Sequence, residues 1–331
     1  MKIFVSIASF QDPILKYTIE SAYTNAKNKK DLVLGVFDQS KEKLTFDHDV
    51  RYITCDPADA KGCCWARSKI QKELFDGEDI FMQVDSHTMF EKDWDKDLLE
   101  KYEVCLDYVK RPIITGYPRG FDVVTPQGDF LNTKQEYIFR KCQPDEDQTH
   151  VMQLHLPWAT GYHCGQMAHV IPGKKYFRGF GLAAGLIFTE GSFVEEIPYD
   201  PEIYFAGEES TLALRAFTHG WDLIHVPNTP VYHWYNTDDE ELKRDLHWNY
   251  HESATDEMKK AKDKRTKIAE QKVNNILQGK VKGKYGVGDK RTLKEFANLS
   301  GVDYVNKSYQ IDKATWVSYE KGGLELGKKF E

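Results

Sequence analysis

Two hydrophobic periods alternate through the first 240 residues, and this alternation restricts the fold more than any other feature of the chain. Residues 3–8 read as a strand, after which Leu15, Ile19, Ala22, Tyr23 and Ala26 recur at helical spacing. Between them, Asp12-Pro13 supplies a capping residue and a proline suited to a first helical position. Residues 32–37 and 50–54 predict two more strands. Residues 66–75 predict a helix with Ile70, Leu74 and Phe75 inward, and residues 79–84 a buried strand. A helix over 94–109 would turn Leu98, Leu99, Tyr102, Leu106 and Val109 to one side, and 112–117 would be a further strand. Such a series predicts an α/β domain on a largely parallel sheet. Ligands of that architecture sit beyond the carboxyl ends of strands, where Ser9, Asp38 and Asp85 fall.

Of the 331 residues, 40% are hydrophobic and 29% charged, which excludes a disordered chain or a fibre. The apolar runs are short and the mean hydropathy is −0.60, so no membrane crossing is expected and no membrane partner. The opening Met1-to-Phe10 stretch runs straight into Gln11-Asp12-Pro13 with no small-residue cleavage site. It reads as a first strand rather than a signal peptide, and the protein is expected in the cytoplasm. Its six cysteines (55, 63, 64, 105, 142 and 164) lack CxxC spacing and read as free thiols.

Charge divides the chain. Residues 259–294 hold thirteen Lys/Arg against three acids, a net +10, which leaves −17 for the rest. With the glycines at 279, 283, 286 and 288, this predicts a small, basic, partly helical C-terminal module over 241–331, after a first domain over 1–240. A solvated helix face accounts for the lysines as well as contact with a phosphate-bearing ligand does.

Several residues can carry chemistry. Asp85 and His87 flank Ser86 at the end of an apolar strand and leave it on the same side, so both can reach one divalent ion. A carboxylate with an imidazole suits Mn²⁺ or Zn²⁺ better than Ca²⁺. His233, after the extended Pro230-Val231-Tyr232, is the candidate third ligand. Gly207-Glu208-Glu209 opens a helix that runs to about His219 and stops at Gly220. Its acids complement the helix dipole, or one of them faces a substrate hydroxyl while the other holds it in place; the sequence leaves open which. The small residues 179–185 would let backbone approach a ligand closely. His150, His155, His163, Cys164 and His169 crowd one stretch, with Cys142 nearby, but fit no standard zinc spacing; a polar loop is the preferred reading and a structural zinc the alternative. A P-loop, a GxSxG elbow and a Ser-His-Asp arrangement are all missing from the sequence.

The order of these motifs resembles the cytoplasmic hydroxyproline N-acetylglucosaminyltransferase family and, more distantly, the polypeptide N-acetylgalactosaminyltransferases. The stretches that carry the resemblance are 3–13, Ala66-Arg67, Gln83-Val84-Asp85-Ser86-His87, Ala183-Ala184-Gly185, 194–201, Phe205-Ala206-Gly207-Glu208-Glu209 and Val231-Tyr232-His233. They span roughly residues 1–240, and residues 118–175 depart from the pattern. The resemblance implies a GT-A-type, Rossmann-like nucleotide-sugar domain and a metal-dependent, anomerically retaining transfer from a UDP-sugar. It implies that Ser6, Ala8 and Ser9 line the uridine pocket, with Asp38 near the base or ribose and Arg67 facing the nucleotide or its diphosphate. By the same resemblance Asp85, His87 and His233 hold Mn²⁺ in a DXD-like motif, with Ser86 beside the donor. Ala183, Ala184 and Gly185 would border the sugar, and Glu208 and Glu209 would touch sugar or acceptor as the catalytic pair.

The leading expectation is therefore transfer of a GlcNAc-like sugar from UDP to a hydroxyl on a macromolecule, foremost a protein. Hydroxymethylated DNA, tracked by the basic segment, is the alternative acceptor. An inactive sugar-nucleotide fold kept as a binding scaffold is the alternative of another class.

Overall fold

The computed structural model describes residues 1–124, 138–142, 146–154, 166–235, 246–310, 319 and 324–327. Strands β1 (Ile3–Phe10), β2 (Leu32–Gln39), β3 (Val50–Thr54) and β4 (Ile80–Asp85) are parallel neighbours in the order β3-β2-β1-β4. Helices α1 (Leu15–Asn25) and α2 (Cys63–Glu73) lie on the connections between them. β5 (Thr88–Phe90), α3 (Trp94–Leu106), β6 (Pro112–Thr115), β7 (Arg119–Val124) and β8 (Ile138–Lys141) follow. Next come β9 (Gln148–Leu154), β10 (Gln166–Pro172), β11 (Phe177–Gly179), β12 (Leu186–Glu190) and the short α4 (Phe193–Glu196). Then α5 (Glu208–Thr218), β13 (Asp222–His225) and β14 (Val231–His233) lead to α6 (His247–Ala254), α7 (Asp256–Leu277) and α8 (Leu293–Ser300).

The central sheet has eight strands, β11-β13-β6-β12-β4-β1-β2-β3. It is more mixed than expected, because β12 runs antiparallel to both β4 and β6. That reversal positions the site. Leu186 at the start of β12 pairs with Val84 near the end of β4, so the backbone just before β12 arrives beside Asp85. A second sheet, β5-β14-β7-β8, adds the other half: β14 pairs antiparallel with β5, and His233 lies opposite Thr88.

Alternation along β1 builds three layers. Ile3, Val5 and Ile7 enter one core with Leu15 and Ile19 of α1 and Trp94 and Leu98 of α3. Phe4 enters the other, with Ile70 of α2 and Leu212 and Ala216 of α5. Leu106, expected on the buried face of α3, is 47% exposed, because the helix ends there and Val109 fills the core from the following turn. The lysine-rich α7 contributes Val273, Ile276 and Leu277, and α8 contributes Phe296, to the core that holds α5. Gly207, at φ +88°, allows this closure: a Cβ there would lie 2.5 Å from a Val273 methyl. Among the described residues no helix is long and apolar enough to cross a membrane.

Candidate active site

Asp85 is the last residue of β4, and its side chain is the hub of the site. One oxygen, Oδ1, accepts from the Arg67 guanidinium at 2.5 Å, and the other, Oδ2, lies 3.1 Å from His233 Nε2. His87 joins them, its ring centroid 4.4 Å from that of His233 and nearly perpendicular to it. Asp85, His87 and His233 each offer a donor atom within 4.8 Å of the others. One oxygen and two imidazole nitrogens form a donor set suited to a borderline divalent cation such as Mn²⁺ or Zn²⁺. Burial alone would raise the Asp85 pKa, but the His233 hydrogen bond and the Arg67 charge outweigh it and hold the carboxyl well below the usual carboxylate range.

The cluster has an orienting residue that sequence reasoning missed in that role. Asp12 Oδ2 lies 2.7 Å from His87 Nδ1, which leaves Nε2 as the nitrogen turned to an ion. The same oxygen accepts from the Ser86 hydroxyl at 2.7 Å, which places Ser86 Oγ 3.4 Å from His87 Nδ1, on the Asp12 side of that ring. Asp12 was expected as a helix cap. Its Oδ1 does accept from Ile14 N at 3.0 Å, but α1 begins only at Leu15. Nothing in the sequence joins two residues 75 positions apart; the packing of α1 against β5 does.

A cleft of about 450 Å³ opens in front of the cluster, lined by Arg67, Asp85, Ala184, Gly185, Glu208, Glu209 and His233 among others. Gly185 lies close to the cluster: a Cβ there would stand 3.0 Å from Asp85 Oδ2 and would press on that carboxylate. Glu208 and Glu209, adjacent at the start of α5, take different partners. Glu208 Oε1 pairs with the buried Arg67, which thereby bridges Glu208 and Asp85. Glu209 Oε1 accepts from Ala184 N at 2.9 Å, and its Oε2 accepts from the Tyr117 hydroxyl at 3.1 Å. Tyr117 and Tyr235 also line the cleft, and the sequence had not marked either one.

The remaining expected positions fall outside the lining of this cleft. Ser6 is fully buried in the middle of β1, while Ala8 packs against the core. Ser9 is buried at the strand end and accepts from Gln39 through its carbonyl at 2.7 Å. The Asp38 carboxylate is engaged by the Ser40 and Tyr52 hydroxyls at 2.6 and 2.7 Å, and its pKa is raised by burial. Ala183 is also buried, its N–H donating to Thr115 Oγ1 at 2.8 Å. None of these five, nor Ser86, lines the cleft. His155, His163 and Cys164 lie outside the described residues.

Glu209 gives a pH prediction. Its pKa is pushed up to about 7, by burial first and then by the charge of Glu208, against the Ala184, Tyr117 and Arg67 contacts that favour the anion. From 4.5 to about 7, the folded chain keeps a proton that an unfolded glutamate has released. The neutral group's advantage is therefore complete below 4.5 and is lost as pH rises through about 7. That gap is worth roughly 3 kcal/mol. Glu209→Gln, which cannot ionise, should gain about that much on wild type between pH 4 and pH 8 in denaturant titrations. A stability difference that stays flat across this range would refute the burial argument.

A family model described as Glycosyltransferase (GlcNAc) matches residues 40–306. No curated protein matches the sequence. Among solved structures, TarS of S. aureus shares 13% identity at a TM-score of 0.44, with 93% of this chain and 49% of that one covered. A197 from STIV shares 13% at 0.34 over 74% and 96%, and HddC from Yersinia pseudotuberculosis 11% at 0.28 over 63% and 84%. The chain thus spans about half the length of TarS. The family match takes in every residue that lines the cleft, and on that match the chain belongs to the GlcNAc glycosyltransferase family.

Proposed function

We propose that the chain transfers a GlcNAc-like sugar from UDP to a hydroxyl of a macromolecule, with a protein as acceptor and retention at the anomeric carbon. The observation that carries this reading is the Asp85/His87/His233 cluster at a strand end, with Gly185 and the paired glutamates beside it in one cleft. Asp85, His87 and His233 would hold a Mn²⁺-type cation, which when bound offsets the charge developing on the departing diphosphate. Asp12 keeps the His87 ring in one orientation, and His233 together with Arg67 keeps Asp85 ionised. The absence of a side chain at Gly185 admits the donor sugar close to Asp85.

Glu209, with a pKa near 7, is divided between its two forms at neutral pH. As an anion it can hold or deprotonate a hydroxyl that enters from the cleft. Glu208, spent on Arg67, positions the guanidinium rather than the acceptor. The resemblance to hydroxyproline-modifying transferases supports a protein acceptor. The exposed Lys259, Lys260, Lys264 and Lys267 of α7 support the alternative, hydroxymethylated DNA.

The test is a screen of UDP-sugars with Mn²⁺ against protein and hydroxymethylated-DNA acceptors, read by intact mass. An N-acetylhexosamine-sized gain on protein, lost with EDTA, is the expected result. Gain on DNA alone, weakening steeply with salt, would move the acceptor assignment. No turnover and no UDP binding would leave a scaffold in its place.

A further inference from the structure

Behind the cleft lies a second group of donor atoms of different chemistry. Cys63 and Cys64 are the first two residues of α2, and Glu208 is the first of α5. Cys63 N donates to the Tyr204 carbonyl at 3.1 Å, which ties the two helix starts together. As a result the two sulfurs lie 3.8 Å apart, with Cys63 Sγ 3.1 Å from Glu208 Oε2. One donor atom from each of the three residues lies within 4.8 Å of the others. Cys64 and Glu208 are buried and Cys63 is partly exposed.

These separations suit one small ion. Two thiolates at about 2.3 Å and a carboxylate oxygen at about 2.0–2.2 Å from a tetrahedral Zn²⁺ would stand a little under 4 Å from one another. Sulfur selects soft and borderline cations, whereas the Asp85/His87/His233 set, with no sulfur, does not discriminate against Mn²⁺. Glu208 Oε1 is already taken by Arg67, but Oε2, the oxygen that faces the thiols, is not its partner. An ion at Oε2 therefore leaves the Arg67 bridge to Asp85 in place.

We propose that Cys63 Sγ, Cys64 Sγ and Glu208 Oε2 form a zinc site, separate from the Asp85/His87/His233 cluster. Binding replaces two S–H bonds with two Zn–S bonds and releases one proton from each thiol to solvent, so apparent affinity rises with pH. Carboxylate and thiols come from α2 and α5, so the ion would clamp the two helix starts that carry Arg67 and Glu209. The site does not depend on the proposed transfer reaction, and binding measurements test it whatever the activity proves to be.

The experiment uses the full chain, stripped with chelator and titrated with Zn²⁺, and in parallel with Cd²⁺, whose thiolate bond has an ultraviolet charge-transfer absorption. Asp85→Ala, which removes a ligand of the other cluster, should retain one charge-transfer site per chain. Cys63→Ser should lose that absorption and bind Zn²⁺ at least a hundredfold more weakly, whereas Cys142→Ser should match wild type. Because Cys63→Ser could disturb α2, wild-type alkylation is followed as well: Zn²⁺ should protect Cys63 from iodoacetamide, read by peptide mass. Undiminished Cd²⁺ absorption in Cys63→Ser, its loss in Asp85→Ala, or equal alkylation of Cys63 with and without Zn²⁺ would each overturn the proposal.

Discussion

Asp85→Ala is expected to lower metal-dependent UDP-sugar turnover by about three orders of magnitude, or roughly 4 kcal/mol of transition-state stabilisation. The argument is local. Asp85 supplies the only oxygen of its cluster and separates the imidazoles of His87 and His233 from the Arg67 guanidinium. Without it only two imidazoles would face a cation, and Mn²⁺, which prefers oxygen ligands, would lose its anchor. The fold should persist, because the Asp85 side chain sits at a strand end with a quarter of its surface exposed, and Arg67 keeps Glu208. Circular dichroism and the unfolding midpoint check that half of the expectation, and Mn²⁺-dependent turnover the other. Wild-type turnover in a folded Asp85→Ala protein would remove the metal assignment.

Arg67→Met should cost about 3–5 kcal/mol of folding stability, the loss expected when one partner of a buried ion pair is deleted and the other left uncompensated. The Arg67 side chain is only 7% exposed and that of Glu208 6%, so water cannot take over the role of either. The double variant Arg67→Met/Glu208→Gln should recover most of the loss, since it removes both charges of the buried pair, while Asp85, a quarter exposed, keeps His233. Denaturant midpoints of the two single variants and the double give the coupling directly. If the double variant is as unstable as the sum of the singles, the pair is not coupled, and Arg67 acts through packing on Tyr199, 5.9 Å away, instead.

Some of the site was legible because it is local. Asp85 and His87 stand two apart at the end of an apolar run, and that spacing alone puts both on one side of a strand. Glu208 and Glu209 open a helix whose start is marked by Gly207 and whose end is marked by Gly220, and the structure shows α5 between those glycines. His233 was singled out by its place after the extended Pro230-Val231-Tyr232, and the ordered motifs of the resemblance joined it to Asp85 and His87. What stayed hidden is pairwise and distant. Asp12 orients His87 from 75 residues away, and Cys63 meets Glu208 across 145.

Sequence by itself determined the main strands and helices up to about residue 117 and the helix that begins at Glu208, because each of those windows carries its own period of 2 or 3.6 residues. It also determined the acidic and imidazole composition of the strand ends. Only tertiary structure decided the direction of β12, since an apolar strand pattern reads the same in either direction. That direction brings Gly185 to Asp85, while the pairing of β14 with β5 brings His233 to His87. Tertiary structure also decided that α7, whose lysines dominate its composition, buries Val273, Ile276 and Leu277 against the helix that carries the glutamates. Side-chain partners are set by strand register and helix docking, and those are properties of the assembled core rather than of any stretch of chain.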